Sequence, residues 1–282
     1  MKKRIKDLAF TLKIPKSTLL ELCSVLDQDE SKLYHNWNVP KKDHRGNPRV
    51  QNGKTLTRPI NAPTKKLKFV QSRLLNQVLY QFPLPEYFFG GVKKKDAVMN
   101  ARHHQGNKYF FLTDLKDFYP SIKSTSIEAS LRQLGFYPDV AKVITRLCTK
   151  KGEVPQGCPT SSFIASLVVL HSIDDLMEIY KKDGLKVSVY VDDLTFSSQS
   201  GFKDKTQDIL QHLRSRGLKI NFSKTHYCTY NPVVTGVLAK NNGISPLPHT
   251  FQRAEDTTLS IESRLGHLQR IEYIKKLSKK SP

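Results

Sequence analysis

Apolar residues recur along this chain at two spacings. From Lys65 to Tyr80, Leu67, Val70, Leu74, Leu75, Val78 and Leu79 share one helical face, and Lys65, Lys66, Lys68 and Arg73 lie largely off it. The same period predicts helices over 95–104, 124–134, 139–148, 161–180 and 204–216. A basic helical tail after His249 is marked by Leu259, Leu265, Leu268, Ile271, Ile274 and Leu277. Near the start, Leu8, Phe10 and Leu12 precede Ile14-Pro15, and Thr18 to Glu21 has the form of a capping box opening Leu19, Leu20, Leu22, Val25 and Leu26. These two short helices have the outline of a helix-turn-helix; the mostly apolar second helix favours a plain packed pair over a DNA-reading one.

Period two marks a strand at Leu218–Phe222 and again between Val187 and Ser198, a short aromatic-rich apolar run marks one at Tyr109–Leu112, and Val233–Leu238 reads as a further short strand. Between Val187 and Ser198, Val187, Val189 and Val191 point one way, and Leu194 and Phe196 alternate with Thr195 and Ser197. Asp192 and Asp193 are thus expected at the turn of a hairpin, with Asp114 just beyond the strand that starts at Tyr109. Residues 35–55, with Pro40, Gly46, Pro48 and Gly53, read as a basic loop or ribbon, 82–91 as a Pro, aromatic and Gly loop, 150–159 as a loop, and 241–249 as a turn-rich boundary. Helices and strands interleave with acidic residues at strand ends, an α+β arrangement.

A chain of 282 residues can bury a real core, and 46 Lys plus Arg against 25 Asp plus Glu, a net charge of +21, call for a polyanionic partner. Nucleic acid is the first candidate and an anionic membrane its competitor. The longest apolar stretch, Phe163 to Leu170, is interrupted by Ser166 and is too short to span a bilayer. The basic start, Met1 to Asp7, lacks the apolar core of a signal peptide, so a cytoplasmic location without membrane association is expected. Cys23, Cys148, Cys158 and Cys228 lack metal-binding spacing and read as reduced packing residues.

Two adjacent carboxylates repel each other in a partly buried place, so Asp192-Asp193 implies either a bound cation or full exposure; an Asp-Asp turn alone is most often a solvated loop. Transfer of a nucleotide to a hydroxyl needs metal held on carboxylates that leave coordination sites open. Asp114 supplies a third carboxylate, 78 positions before Asp192, while Asp117 is assigned a structural role. Arg58 and Lys68 are candidates for phosphates, against the alternative of solvated surface. Gln156-Gly157 lies in a loop where Gly permits close approach and the amide can bond sugar or base. Tyr119 can abut a sugar 2' carbon or pack in the core, and Lys224 can protonate a leaving pyrophosphate.

In chain order, five stretches resemble reverse transcriptase motifs: Arg58-Pro59-Ile60 with Pro63, Leu67-Lys68 and Gln71; Thr113-Asp114-Leu115-Lys116-Asp117-Phe118-Tyr119-Pro120-Ser121; Pro155-Gln156-Gly157-Cys158-Pro159-Thr160-Ser161; Tyr190-Val191-Asp192-Asp193; and Gly217-Leu218-Lys219-Ile220-Asn221 with Lys224-Thr225. Asn100-Ala101-Arg102-His103-His104 and Val234-Thr235-Gly236 add the Asn-Ala-x-x-His and Val-Thr-Gly forms of bacterial retron enzymes. The resemblance implies a right-hand polymerase with fingers, palm and short helical thumb, and an antiparallel palm sheet carrying the carboxylates. It divides the chain into a helical segment 1–40, mainly fingers 41–110, mainly palm 111–240 with interleaved fingers elements around 124–155, and a basic thumb 241–282.

It further implies two Mg2+ ions on Asp114, Asp192 and Asp193, catalysis by these with Lys224, dNTPs met by Arg58, Lys68, Tyr119, Gln156 and Gly157, and RNA contacts from Asn100, His104, Thr235 and Gly236, with helix capping and packing as the other reading of Asn100 and His104. The expected activity is RNA-templated DNA synthesis on a cognate structured non-coding RNA of msr-msd type. Priming from an internal guanosine 2'-hydroxyl would give branched RNA-DNA (msDNA), within an anti-phage defence system whose effector is a separate protein. Two departures stand out: Val191 where alanine is more usual in the family, and Ser162 where proline is. The alternatives are another bacterial enzyme of group II intron type and a catalytically silent RNA-binding scaffold.

Overall fold

A computed structural model describes residues 4–41, 46–230 and 232–278. It divides into two units interleaved along the chain, one of 1–85 with 117–172 and the other of 86–116 with 173–282.

In the first unit, α1 (Ile5–Leu12) buries Leu8 and Leu12, and α2 (Lys16–Gln28) buries Leu19, Leu22 and Leu26. The second helix starts directly after Pro15, whose ring presets the backbone, so Thr18 sits inside the first turn and the expected capping box is not used. Among the described residues of 35–55 the ribbon reading holds: β1 (Tyr34–Pro40), β2 (Val50–Gln51) and β3 (Lys54–Thr55) lead to β4 (Thr57–Pro63). Strand β1 pairs antiparallel with β4, from Tyr34 opposite Pro63 to Pro40 opposite Thr57. Helix α3 (Lys65–Gln77) buries Leu67, Val70 and Leu74 as its period requires, and Gln71 Nε2 donates to Leu147 O at 2.8 Å. After the second unit's first stretch come α5 (Phe118–Ser121), α6 (Ser124–Gln133), α7 (Pro138–Cys148) and α8 (Ser161–Lys182), which carries the chain into the second unit.

The second unit is built on a four-stranded antiparallel sheet, in the order β6 (Lys186–Tyr190), β7 (Asp193–Ser198), β5 (Tyr109–Asp114), β8 (His226–Cys228). Alternation places Val187, Val189, Leu194, Phe196 and Phe111 on one face, where Tyr180 of α8 meets Phe196 edge-on at 5.7 Å and bonds His212 of α9 (Thr206–Ser215). Phe110 and Leu112 on the other face join a core with Val98 and Ala101 of α4 (Ala97–His103), Val234 of β9 (Val233–Val234), Val237 and Ala239 of β10 (Val237–Lys240), and Ile244 of β11 (Gly243–Ser245). Asp96 caps α4 through its Val98 and Met99 amides.

Several expected strands are redrawn. Within Leu218–Phe222 only Ile220 bridges, to Leu115; Asn221 is tied to Asp114 and Phe222 opens a 3-10 turn, so β8 supplies the fourth strand. Val233–Leu238 is a hairpin, because Thr235 and Gly236 take φ of 46° and 78°, the left-handed pair of a tight turn. The stretch 241–249 contains β11 and the start of α10 (Pro248–Glu255). In α11 (Ile261–Ser278) the apolar stripe is only half used: Ile271 and Ile274 are buried, while Leu265 and Leu268 stay 50% and 45% exposed. None of the described helices is long and apolar enough to cross a membrane, and the four cysteines are free.

Candidate active site

Asp114 closes strand β5, inside it rather than just beyond, and its register partner is Asp193, first residue of β7. Tyr190 also pairs with Asp193, so the hairpin loop is Val191-Asp192, one residue earlier than the alternation of valines suggests. Val191 is drawn off the strand with φ of 59°, a conformation costly for a β-branched residue and one that aims the neighbouring carboxylate. The Asp192 carbonyl accepts from Leu115 N at 2.8 Å, which ties the loop to the end of β5. One oxygen from each of Asp114, Asp192 and Asp193 lies within 4.8 Å of the others.

The trio is electrostatically unequal. Asp114, 4% exposed, accepts from Asn221 Nδ2 at 2.8 Å and from Lys224 Nζ at 2.5 Å. Asp193 has its pKa pushed up to about 7, first by burial and then by the charges of Asp192 and Asp114, with Lys224 opposing. Three clustered carboxylates, one of them held above its ordinary range, fit a divalent cation that would relieve their repulsion. Asp114, Asp192 and Asp193 are the residues that would hold it.

A buttress absent from the sequence reading stands behind the loop. Phe88 bridges Val189 in parallel; Val189 N donates to Tyr87 O at 2.8 Å and Phe89 N to Val189 O at 2.8 Å. The run ends at Gly90, where a Cβ would fall 2.3 Å from Val191 N and 2.6 Å from Val191 Cγ2. Only glycine fits. Lys95 Nζ steadies the run by donating to the Glu86 and Phe88 carbonyls. The signal available in the sequence was an aromatic triplet followed by Gly90-Gly91, with no period to say what it packs on.

In the first unit, the structure joins three of the five nucleotide-binding candidates on or beside β4. Arg58 is exposed on that strand, Gln156 O accepts from Asn61 N at 2.7 Å, and a Cβ on Gly157 would come 3.1 Å from Ile60 Cγ2. Lys68 is exposed on α3. Tyr119 Oη shares a hydrogen bond of 3.0 Å with Ser162 Oγ, which gives the unusual serine a partner that proline could not provide.

Residues 39–270 match the family described as reverse transcriptase (RNA-dependent DNA polymerase). The chain is 30% identical over 251 residues to the Retron Ec86 reverse transcriptase of Escherichia coli, covering 79% of this chain and 77% of that protein. The chain belongs to the retron reverse transcriptases. It is also 33% identical over 184 residues to the Retron Se72 reverse transcriptase of Salmonella heidelberg, 63% of this chain, and 29% over 187 residues to the Retron Mx162 reverse transcriptase of Myxococcus xanthus, 60% of this chain. It spans only 48% and 36% of those two proteins.

In this retron reverse transcriptase the two signatures expected to contact RNA lie together, and largely inside. Asn100 and His104 are fully buried, so their side chains hold the fold rather than face a ligand. Asn100 Nδ2 reaches Thr235 Oγ1 at 3.4 Å, and that hydroxyl donates to Ala97 O at 2.7 Å, fastening the β9–β10 turn to α4. His104 bonds Ser197 Oγ at 2.6 Å and Ser188 Oγ at 2.7 Å, linking β7 to β6 beneath the hairpin that bears Asp192 and Asp193. Burial first, then the charges of His103 and Lys186, hold its pKa well below the ordinary histidine range. Thr235 is partly exposed and Gly236 exposed at the turn.

Proposed function

We propose that the chain copies RNA into DNA with Mg2+ as its metal, and that it does so on a structured non-coding RNA encoded with it. The observation that carries this reading is the carboxylate trio gathered within 4.8 Å, with Lys224 on Asp114, in a chain of this family. When bound, the metal supplies a more acidic attacking hydroxyl and a counter-charge for the leaving pyrophosphate. Asp114 and Asp193 would hold it from adjacent strand ends, and Asp192 from the loop. Lys224 is the acid that protonates pyrophosphate, carried beside the carboxylates by its bond to Asp114. Arg58 and Lys68 take the phosphates of the dNTP, Gln156 and Gly157 lie along its sugar and base, and Tyr119 screens the sugar 2' position. The four-stranded sheet serves as palm, residues 41–110 with the elements around 124–155 as fingers, and 241–282 as thumb.

The priming group is an internal guanosine 2'-hydroxyl of that RNA, giving branched RNA-DNA, and the system defends against phage through a separate effector in the cytoplasm. The family membership and the relatives' retron names support this part. Asp192→Asn with Asp193→Asn is expected to abolish Mg2+-dependent extension of a primed RNA template while RNA binding persists; undiminished extension contradicts the reading. RNA co-purified with the chain should carry DNA joined through a 2',5' linkage, and a linear product alone contradicts retron-type priming.

A further inference from the structure

The chain contains a single tryptophan, and the fold leaves it 50% exposed in the middle of β1. An indole ordinarily buries most of its ring, so a half-exposed one on a strand marks a surface that takes a partner. Trp37 lies opposite Ile60, and Val39 opposite Arg58. Strand alternation places all four on one face of the β1–β4 ribbon, the face against which Gly157 lies through Ile60. The other face is engaged, with the Asn36 and Asn61 side-chain oxygens both accepting from Lys150 Nζ.

Charge identifies the partner. From Ser31 to Pro85, eleven Lys and Arg stand against one acid, Asp43. Beyond Arg58 the cations continue at Lys41, Arg49 and Lys54, as backbone bonds from Lys41 to Leu56 and from Arg49 to Lys41 lead from the β1–β4 ribbon into β2 and β3. They are strung along a ribbon whose seven-residue strands extend about 23 Å. A single triphosphate needs a compact cluster of cations; a strand of nucleic acid needs a track of them with a flat ring for its bases.

We propose that Trp37 is a stacking platform for an unpaired base of the single-stranded RNA template, with the flanking phosphates on the basic ribbon. The proposal rests on the polymerase reading above and adds a contact that none of its motifs contains. Because Trp37 is the only tryptophan, intrinsic emission excited at long wavelength reports this residue alone. Unstructured oligo(rA) should quench that emission in step with binding measured separately by anisotropy of a fluorescein-labelled strand, and a blunt RNA duplex should not. Trp37→Ala should weaken oligo(rA) binding about 10-fold, and Trp37→Phe should restore most of it.

Oligo(rA) binding with unchanged emission overturns the proposal, as does equal affinity of Trp37→Ala, absence of binding, or quenching by dNTP without RNA. Primer extension is scored in parallel. Extension without quenching refutes the stacking platform alone, while quenching without extension upholds the platform and refutes the polymerase reading.

Discussion

Replacing Asp193 by Asn should make the metal-free protein more stable, and the pH dependence of that gain is the sharpest test of the carboxylate cluster. Burial and two neighbouring carboxylates raise the Asp193 pKa from an ordinary 3.8 to about 7. Each tenfold change in proton affinity corresponds to about 1.4 kcal/mol, so full ionisation costs the fold about 4 kcal/mol. The cost is shared with Asp192 and Asp114, and an amide loses some hydrogen bonding, so a net gain of about 2–3 kcal/mol is expected at high pH. Below pH 3.8 the carboxyl is protonated in both folded and unfolded chains and contributes nothing. Between 3.8 and about 7 Asp193 binds more protons in the folded chain than in the unfolded one, so its own contribution to stability falls as pH rises; above about 7 that loss is complete. Thermal melts in EDTA should place Asp193→Asn about 4–8 °C above wild type at pH 8.5, with the gap narrowing toward pH 4. Adding Mg2+ should raise the wild type more than the variant. A gap that does not change with pH, or a variant no more stable than wild type at pH 8.5, would refute the reasoning.

Tyr119→Ala should admit ribonucleotides, lowering discrimination by at least about 10-fold in single-nucleotide extension, with a smaller loss in Ser162→Ala, which removes one partner of the ring hydroxyl; unchanged ratios in both contradict a sugar screen at Tyr119. His103 is pushed down to about 4, first by burial, and His104 lies well below its ordinary range, so both are neutral in the fold while the unfolded chain protonates them near 6.5. Their own contribution to stability should therefore be lost as pH falls from 6.5 toward 4, opposite in sign to that of Asp193, so the stability difference between wild type and His104→Asn should change across that window; a difference that stays constant with pH in urea denaturation contradicts this. Gly90→Ala should reduce extension at least about 100-fold with RNA affinity retained, since the added carbon displaces the loop that carries Asp192; wild-type extension would show that the loop yields.

Long helices were legible because their period is a property of one segment. Leu67, Val70 and Leu74 bury as a stripe on α3, and α8 runs where its apolar run predicts. The acidic positions were legible because strand ends can be read locally, although the pairing of Asp114 with Asp193 is made only by the sheet. Val191 misled because a valine continues a period-two pattern until its backbone turns left-handed, which side-chain identity does not encode. Leu265 and Leu268 misled for a different reason: an apolar stripe states that a face can be buried, not that something covers it. Asn100 and His104 were visible as a motif, yet whether a polar motif faces a ligand or the core depends on partners as remote as Ser188, Ser197 and Thr235.

The fit of Gly90 against Val191 sets a one-way epistasis between the two positions. Val191→Ala would remove Cγ2 and relieve the 2.6 Å approach, but the 2.3 Å approach is to the Val191 backbone nitrogen and survives any residue at 191. Drift at 191 is therefore open while drift at 90 stays closed, and no allele of the loop can license a larger neighbour. In a randomised library of both codons, active clones should vary at 191 and return glycine at 90.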